Sequence, residues 1–521
     1  MTVKPRIGVV YLSEYRVALS SLAFHFMYGL LREYGVDVHR ITLENGVPKD
    51  WDSRYFTPMS FDAFLVSVPY ELMYKDLSGF LAKSGFKPFA AARSDNEPVV
   101  ITGGPAVTGN PLPVAPLADA VLVGEAEGIM HSLMGILESD YSRKEKINKM
   151  SELDGVMVWA NQIEPIPVKR VFAKDLDATY YPVEQIYEPQ IEPIWGRSFL
   201  LEASRGCARG CLFCMEGRVF LPPRHRSFRR ILSFIDEGMQ APRGLERYGE
   251  KVAFYSLSFF DHPDSDKILE TIIGMGLKAS IPSVRIDTLT EKRLSLIRDS
   301  GQRTLTLAPE TGSCRLARVL RKNICRDHLV EVMDTALTMG IRQFKIYVMT
   351  GFYGELERDL RDTVEMINEA GMLVRKYGGR LKLSVNPLIP KPHTPLQWHG
   401  FIGVGESRRR IEYIRKATSR YVHSFSSLDP RHARLQTILS RGGPELAKTI
   451  ALWGPMNGFL SSWRTVARET GLREEDYTSF WNPDYTPLWH EYVLDDYNKP
   501  GQLRFMYELF LSTQNQLSNH G

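Results

Sequence analysis

Short apolar runs alternate with stretches of helical spacing along residues 1–140. Arg6–Leu12, Val36–Ile41, Phe61–Val68, Pro98–Thr102 and Ala120–Gly124 each read as a buried strand. Between the first two, Leu22, Phe26, Leu30 and Leu31 recur at helical spacing within Ser20–Tyr34, and another helix runs through Leu77–Leu81. Strands separated by helices imply parallel crossovers, so this region predicts an α/β doubly wound parallel sheet. Ligands of such sheets bind beyond the carboxyl ends of the strands. The loops concerned are Ser13–Ser21, Ser67–Glu71, Gly103–Asn110 and Gly124–Glu127.

The period weakens over residues 141–195. Lys144–Lys149 is charged, Val156–Ala160 and Pro165–Phe172 fit small strands, and Tyr180–Pro193 reads as a connector packed across a surface. Alternation resumes over residues 196–400, with strands at Phe199–Ala203, Val252–Ser258, Lys278–Pro282, Arg303–Leu307, Gln343–Met349 and Lys382–Pro387. Helical patterns separate them, the longest at Glu355–Tyr377. Six strand–helix units predict a partial (β/α)6 barrel whose chemistry lies on the loops after the strands. Residues 401–521 read as a mainly helical domain: Glu406–His423, Pro430–Ser440, Pro444–Trp453, Phe459–Thr470 and Leu503–Gln514. Its aromatics, among them Trp463, Trp481 and Trp489, read as a core.

A chain of 521 residues is too long for one core and fits about three domains. Its formal charge of +4 gives no case for general nucleic-acid binding. Seven arginines crowd residues 205–230 and read as a solvated face with charge balance for an anionic group. No apolar run reaches the length of a bilayer span, and the start Met-Thr-Val-Lys-Pro-Arg is no cleavable signal. The expectation is a soluble, cytoplasmic protein without a membrane partner.

Three of the five cysteines, Cys207, Cys211 and Cys214, fall in Arg-Gly-Cys-Ala-Arg-Gly-Cys-Leu-Phe-Cys. Thiolates are soft ligands for zinc, cuprous copper or iron–sulfur clusters. Three of them hold three corners of a four-iron cluster and leave one iron open. A closed zinc site needs a fourth ligand such as His225, and no second Cys-x-x-Cys or His pair lies nearby. Cys314 and Cys325 read as incidental thiols, because a cluster protein needs a reducing compartment.

The spacing of the trio, with Phe213 before its last member, resembles the signature of the radical S-adenosylmethionine (radical SAM) enzymes. The resemblance implies a [4Fe-4S] cluster on Cys207, Cys211 and Cys214, with SAM chelating the open iron and yielding a 5′-deoxyadenosyl radical. It further implies SAM contacts from Ser256 and Ser258 after the second strand, Ser283 and Arg285 after the third, and Glu310 after the fourth. Met349–Glu355 is similar to the family's adenine loop. The plain alternatives are a helix cap for Glu310 and a structural ion pair for Arg285.

Residues 1–140 are similar to the cobalamin-binding domain of cobalamin-dependent radical SAM proteins. The likeness rests on Ser13–Arg16, Ser67–Glu71, Thr102–Pro105 and Gly124–Glu127. It implies cobalamin contacts from Ser67, Tyr70, Glu71, Gly103, Gly104, Gly124 and Glu125. The Asp-x-His-x-x-Gly motif is absent, so the lower face of the cofactor is expected to lack a histidine, with Ser67–Glu71 covering it; His25 and His39 read as structural.

The activity implied is C-methylation of an unactivated carbon, with two SAM per turnover and methylcobalamin as intermediate. A protein or peptide substrate is expected, and the likeness suggests a glutamine of methyl-coenzyme M reductase, a post-translational modification. A small-molecule substrate is the alternative, and an external one-electron donor is required. The rival activities are cyclisation or rearrangement without methyl transfer, methylthiolation of tRNA, and cofactor sensing without catalysis. Methylthiolation needs three more N-terminal cysteines, and residues 1–199 contain none.

Overall fold

The computed structural model describes residues 4–159, 166–456 and 458–519. Ala160 and Pro165, which end two of the expected connector strands, lie outside the described residues.

The first sheet has seven strands: β1 (Arg6–Tyr11), β2 (Asp37–Glu44), β3 (Val47–Asp50), β4 (Ala63–Ser67), β5 (Val99–Gly103), β6 (Ala120–Leu122) and β7 (Val156–Met157). Their order is β3-β2-β1-β4-β5-β6-β7. The five expected strands form its parallel centre, and antiparallel β3 and β7 close the edges. β3 was not expected, although its signal is in the chain. Asn45 and Gly46 both adopt positive φ (51° and 74°), as a two-residue hairpin turn demands. Side chains alternate between two cores: Phe64 and Val66 pack on one face, Ala63 and Leu65 on the other. Burial on both faces explains why these strands are almost wholly apolar.

One of those faces is covered from far along the chain. Leu446, Ile450, Trp453 and Trp463 of the C-terminal helices pack with Leu77 and Phe80 of the helix Tyr74–Lys83. Gly454 permits the approach, since a Cβ there would lie 2.5 Å from the Lys75 carbonyl oxygen.

The second body is an open parallel barrel. Its strands are β8 (Phe199–Glu202), β9 (Lys251–Tyr255), β10 (Lys278–Ser280), β11 (Thr304–Glu310), β12 (Gln343–Thr350), β13 (Arg380–Pro387) and β14 (Ser424–Ser426). β10-β9-β8 and β11-β12-β13-β14 form two sheets, linked by a single parallel bridge from Val284 to Leu307. The six expected strands are present. β14 is a seventh, pairing Lys382 with Ser424 and Ser384 with Ser426. One residue of each pleat enters a shared core with the outer helices, as Phe344, Ile346 and Val348 do. The alternate residues face the barrel interior. The remaining chain is mainly helical, ending in Pro500–Asn519. Among the described residues no helix is long and apolar enough to cross a membrane.

Candidate active site

The carboxyl ends of β1, β4, β5 and β6 face the open side of the barrel, and a cavity of about 750 Å³ lies between them. The parallel order β2-β1-β4-β5-β6 reverses beside β1, and such a switch opens a crevice for ligands. Ser67, Gly103, Gly104, Gly124 and Glu125 line the cavity from the sheet; Glu202, Ser204, Tyr255 and Ser256 line it from the barrel. The hydroxyls of Ser20 and Thr102 are buried on its wall without a hydrogen-bond partner. Such orphan hydroxyls suit a polar ligand, since an unpaired buried hydroxyl is costly. Neither was given a ligand role from sequence, although Ser20 falls in the Ser13–Ser21 loop and Thr102 lies in β5 at the head of Thr102–Pro105.

The glycines do different work. A Cβ on Gly103 would meet only the Leu122 Cβ, at 3.6 Å, so this backbone is free to face the cavity. Gly124 instead has φ of 117°, and a Cβ there would fall 2.0 Å from the Val171 carbonyl oxygen. Its first demand is close packing of the connector.

The cysteine loop follows β8. Burial pushes the Cys214 thiol up to about 12, with Glu216, Cys211 and Cys207 adding to the effect. Cys207 is likewise raised by burial, and Cys211 contributes. The three thiols therefore share one microenvironment. Gly217 leaves room beside them: a Cβ there would lie 3.5 Å from Cys214 Sγ and 3.8 Å from Cys207 Cβ. Among the described residues no three His, Cys, Asp or Glu side chains are placed to hold a metal ion. His225 packs edge-on against His262, with ring centroids 5.1 Å apart. Three free thiols within one loop, with glycine rather than a side chain beside them, fit the three protein corners of a four-iron cluster.

Arginines lock this loop in place. Arg205 bonds Glu125 at 2.8 Å and both Glu127 and Glu202 at 2.9 Å. Glu125 also accepts from Arg224 at 2.6 Å and from the Ala173 N–H at 2.9 Å. It thus ties sheet, connector and cysteine loop together as well as lining the cavity. Arg209 reaches Asp261, which also accepts from Ser258.

Of the other expected SAM residues, Arg285 and Glu310 are linked to the thiols by a chain of contacts. Arg285 Nη1 stands 3.7 Å from Cys211 Sγ, and its Nη2 donates to Asp287 at 2.9 Å and to the Lys322 carbonyl oxygen at 3.2 Å. Lys322 Nζ donates to Glu310 at 3.1 Å. Glu310 follows a register shift in β11 and has φ of 71°, an uncommon conformation for a non-glycine residue. Burial raises its pKa, although Lys322 and Arg285 oppose this. Lys322 was missed because nothing local marks it. Ser256 Oγ lies 2.6 Å from Ser204 Oγ. Ser283 is exposed. The Met349–Glu355 loop is fastened by buried Glu355, which accepts from the Gly351 N–H at 2.6 Å.

Tyr70 and Glu71 lie off the cavity wall. Tyr70 is exposed, and Glu71 is buried against Lys391 (2.5 Å) and Gln436 (2.8 Å). Ring nitrogens of His25 and His39 are engaged by Leu19 and Ile186 and by Asp50, consistent with structural roles. One expectation is corrected. Cys314 and Cys325 are joined as a disulfide, because the chain turns back after the helix Cys314–Val319 and brings their Cα atoms to 4.9 Å.

Residues 201–367 match the family described as the Radical SAM superfamily, and residues 52–158 match Radical SAM proteins, N-terminal. The chain is 30% identical over 445 residues to the uncharacterized protein MJ0966 of Methanocaldococcus jannaschii, spanning 85% of this chain and 90% of that one. This chain belongs to the radical SAM superfamily. A radical SAM domain carries a [4Fe-4S] cluster and SAM, and the cysteine loop after β8 is where this one presents its thiols.

Solved radical SAM structures share the architecture. OxsB, described as a cobalamin-dependent S-adenosylmethionine radical enzyme with aqua-cobalamin and SAM bound, has a TM-score of 0.52 at 14% identity, covering 99% of this chain and 80% of that one. The methyltransferase TsrM of Kitasatospora setae, with tryptophan and a SAM analogue bound, has a TM-score of 0.51 at 12% identity, covering 73% of each chain. At these identities the likeness is one of fold.

Proposed function

We propose that this protein is a cobalamin-dependent radical SAM C-methyltransferase acting on an unactivated carbon, with a protein side chain as substrate. The observation that carries the reading is the shared cavity. It joins the carboxyl ends of the N-terminal sheet to the interior of the radical SAM barrel and meets the cysteine loop at Arg205, Gly206 and Glu216. Two cofactor sites that open onto one space suit a reaction in which two reactive centres address one carbon.

In this reading the cluster and SAM supply a carbon-centred radical and cobalamin supplies the methyl group, at a cost of two SAM per turnover. The chain's own residues position and enclose. Gly103 and Gly104 line the wall with backbone, and Ser20 and Thr102 offer unspent hydroxyls to a polar ligand. Arg205 holds the cysteine loop against the sheet through Glu125 and Glu127, so the two sites keep a fixed separation. In this reading Arg285 and Glu310 meet SAM's carboxylate and ribose, and the contact each makes with Lys322 supports that role. An external one-electron donor is required. A glutamine of methyl-coenzyme M reductase is the specific target proposed.

The test is anaerobic reconstitution with cobalamin and methyl-labelled SAM against host-cell protein, followed by peptide mass spectrometry. Label on one protein side chain supports the reading. Formation of 5′-deoxyadenosine without demethylated SAM replaces it with rearrangement or cyclisation. Label found only in small molecules removes the protein substrate.

A further inference from the structure

Most of the ionised side chains on the cavity wall are spent on one another. Arg205 is bonded to Glu125, Glu127 and Glu202, and Arg226 to Glu202 at 2.9 Å. Glu216 and Lys251 also line the wall, and among the described residues neither has a partner of opposite charge within ion-pair distance. Lys391 acts on Glu216 only through its charge, and is itself bonded to Glu71 at 2.5 Å. The wall therefore presents one spare anion and one spare cation.

These two groups stand at different ends. Glu216 follows Cys214 in the cysteine loop. Lys251 opens β9, where Val252 lies beside Phe199 and Tyr255 beside Glu202 of β8. Lys251 is thus four residues, about 13 Å, short of the level at which Glu202 meets Arg205. Val252 and Phe254 enter the outer core, and Lys251, Ala253 and Tyr255 face the cavity. Trp195, Gly196 and Ser198 line the wall just before β8 begins, level with Lys251. Trp195 is 65% exposed, so the cavity opens to solvent at this end.

Burial lowers the pKa of Lys251, and no anion opposes it. A half-buried ammonium without a counter-charge is a cost to the fold. An occupant that suits this wall carries an anion at the open end. It carries none at the cysteine end, where Glu216 would repel it. Cobalamin has that distribution. Its one anionic group is the phosphodiester that leads from the corrin to the nucleotide base. Its other side chains end in neutral amides, whose N–H groups a carboxylate accepts.

We infer that Lys251 binds the phosphodiester of cobalamin, which sets the nucleotide tail toward the open end of the cavity and the corrin toward the cysteine loop. The inference rests on the reading of this cavity as the cobalamin site. It adds the orientation of the cofactor and the residue that fixes it.

The test is equilibrium dialysis of the cobalamin-free full chain, purified anaerobically, with free corrinoid read from its visible absorbance. The probes are cobalamin, cobinamide phosphate, which keeps the phosphate without the base, and cobinamide, which lacks both. The two phosphate-bearing probes are expected to bind at least about tenfold tighter than cobinamide. Lys251→Gln is expected to lose at least about tenfold on both of them and less than about twofold on cobinamide, with an unchanged thermal melt. Lys251→Arg, which keeps the charge, is expected to stay within about threefold of the parent on all three. Lys144→Gln, an exposed lysine outside the cavity lining, is expected to change none of them. An equal loss on all three probes in Lys251→Gln marks a structural role and overturns the inference. An undiminished preference for phosphate in that variant overturns it as well.

Binding is read without turnover, so the two proposals fail separately. Phosphate-dependent binding through Lys251 without labelled methyl transfer sinks the methyltransferase reading alone. Methyl transfer with corrinoid binding that ignores Lys251 sinks the lysine contact alone. No binding of any probe removes cobalamin from the cavity and overturns the inference with it.

Discussion

Arg205 and Glu125 meet at 2.8 Å across the junction between the cysteine loop and the N-terminal sheet. Glu127 and Glu202 complete a set of three carboxylates around one guanidinium. Removing one partner of a buried ionic group is costly, because the others are left uncompensated. Arg205→Met is expected to lower stability by about 3–5 kcal/mol in denaturant unfolding. A change below about 1 kcal/mol would show that the network is solvated and weak.

The same network sets a pH dependence. Burial opposes ionisation of Glu125 and Glu202, yet Arg224 and Arg205 for the first, and Arg205 and Arg226 for the second, hold both below the usual carboxylate range. Such a group adds stability above its unfolded value, about 4.3 for Glu. That contribution is lost as pH falls through the lower folded value. The unfolding midpoint is expected to hold from neutral pH to about 5 and then drop. Glu125→Gln starts lower and has a shallower acid limb; a parallel limb would remove Glu125 from the account.

Gly103 and Gly124 separate a cavity wall from a packing contact. Gly124→Ala places a Cβ 2.0 Å from a carbonyl oxygen at a φ of 117°. Backbone strain alone is of order 1–3 kcal/mol. Poor yield or a much lowered melting temperature is expected. Gly103→Ala adds a methyl with only one contact, at 3.6 Å, and is expected to fold normally while loading less cobalamin, read from the visible spectrum. Equal cobalamin content in Gly103→Ala and the parent would contradict a corrin against this wall.

Cysteine roles divide three and two. Cys207→Ala, Cys211→Ala and Cys214→Ala are each expected to abolish the iron–sulfur absorbance and 5′-deoxyadenosine formation. Cys314→Ser/Cys325→Ser is expected to keep the cluster, because neither residue belongs to the three free thiols of the Cys207–Cys214 loop. Loss of iron from that variant would place the pair in cluster assembly.

The sequence by itself determined what local pattern encodes. Five parallel strands, six barrel strands and the cysteine trio follow from apolar period and from ligands that lie within eight residues of one another. The hairpin at Asn45–Gly46 was equally local and legible, but unread. The triplet Ser424–Ser426 holds one apolar residue, Phe425, too short a run to read as a strand, so only its pairing with β13 makes it one. Tertiary structure alone decided that Glu71 pairs with Lys391, 320 residues away, and that Glu125 grips Arg224, 99 residues away. It alone set Lys251 on the wall of the shared cavity. Period reports which face of an element is buried; which charges then meet depends on register and docking between distant segments, and no local window contains that.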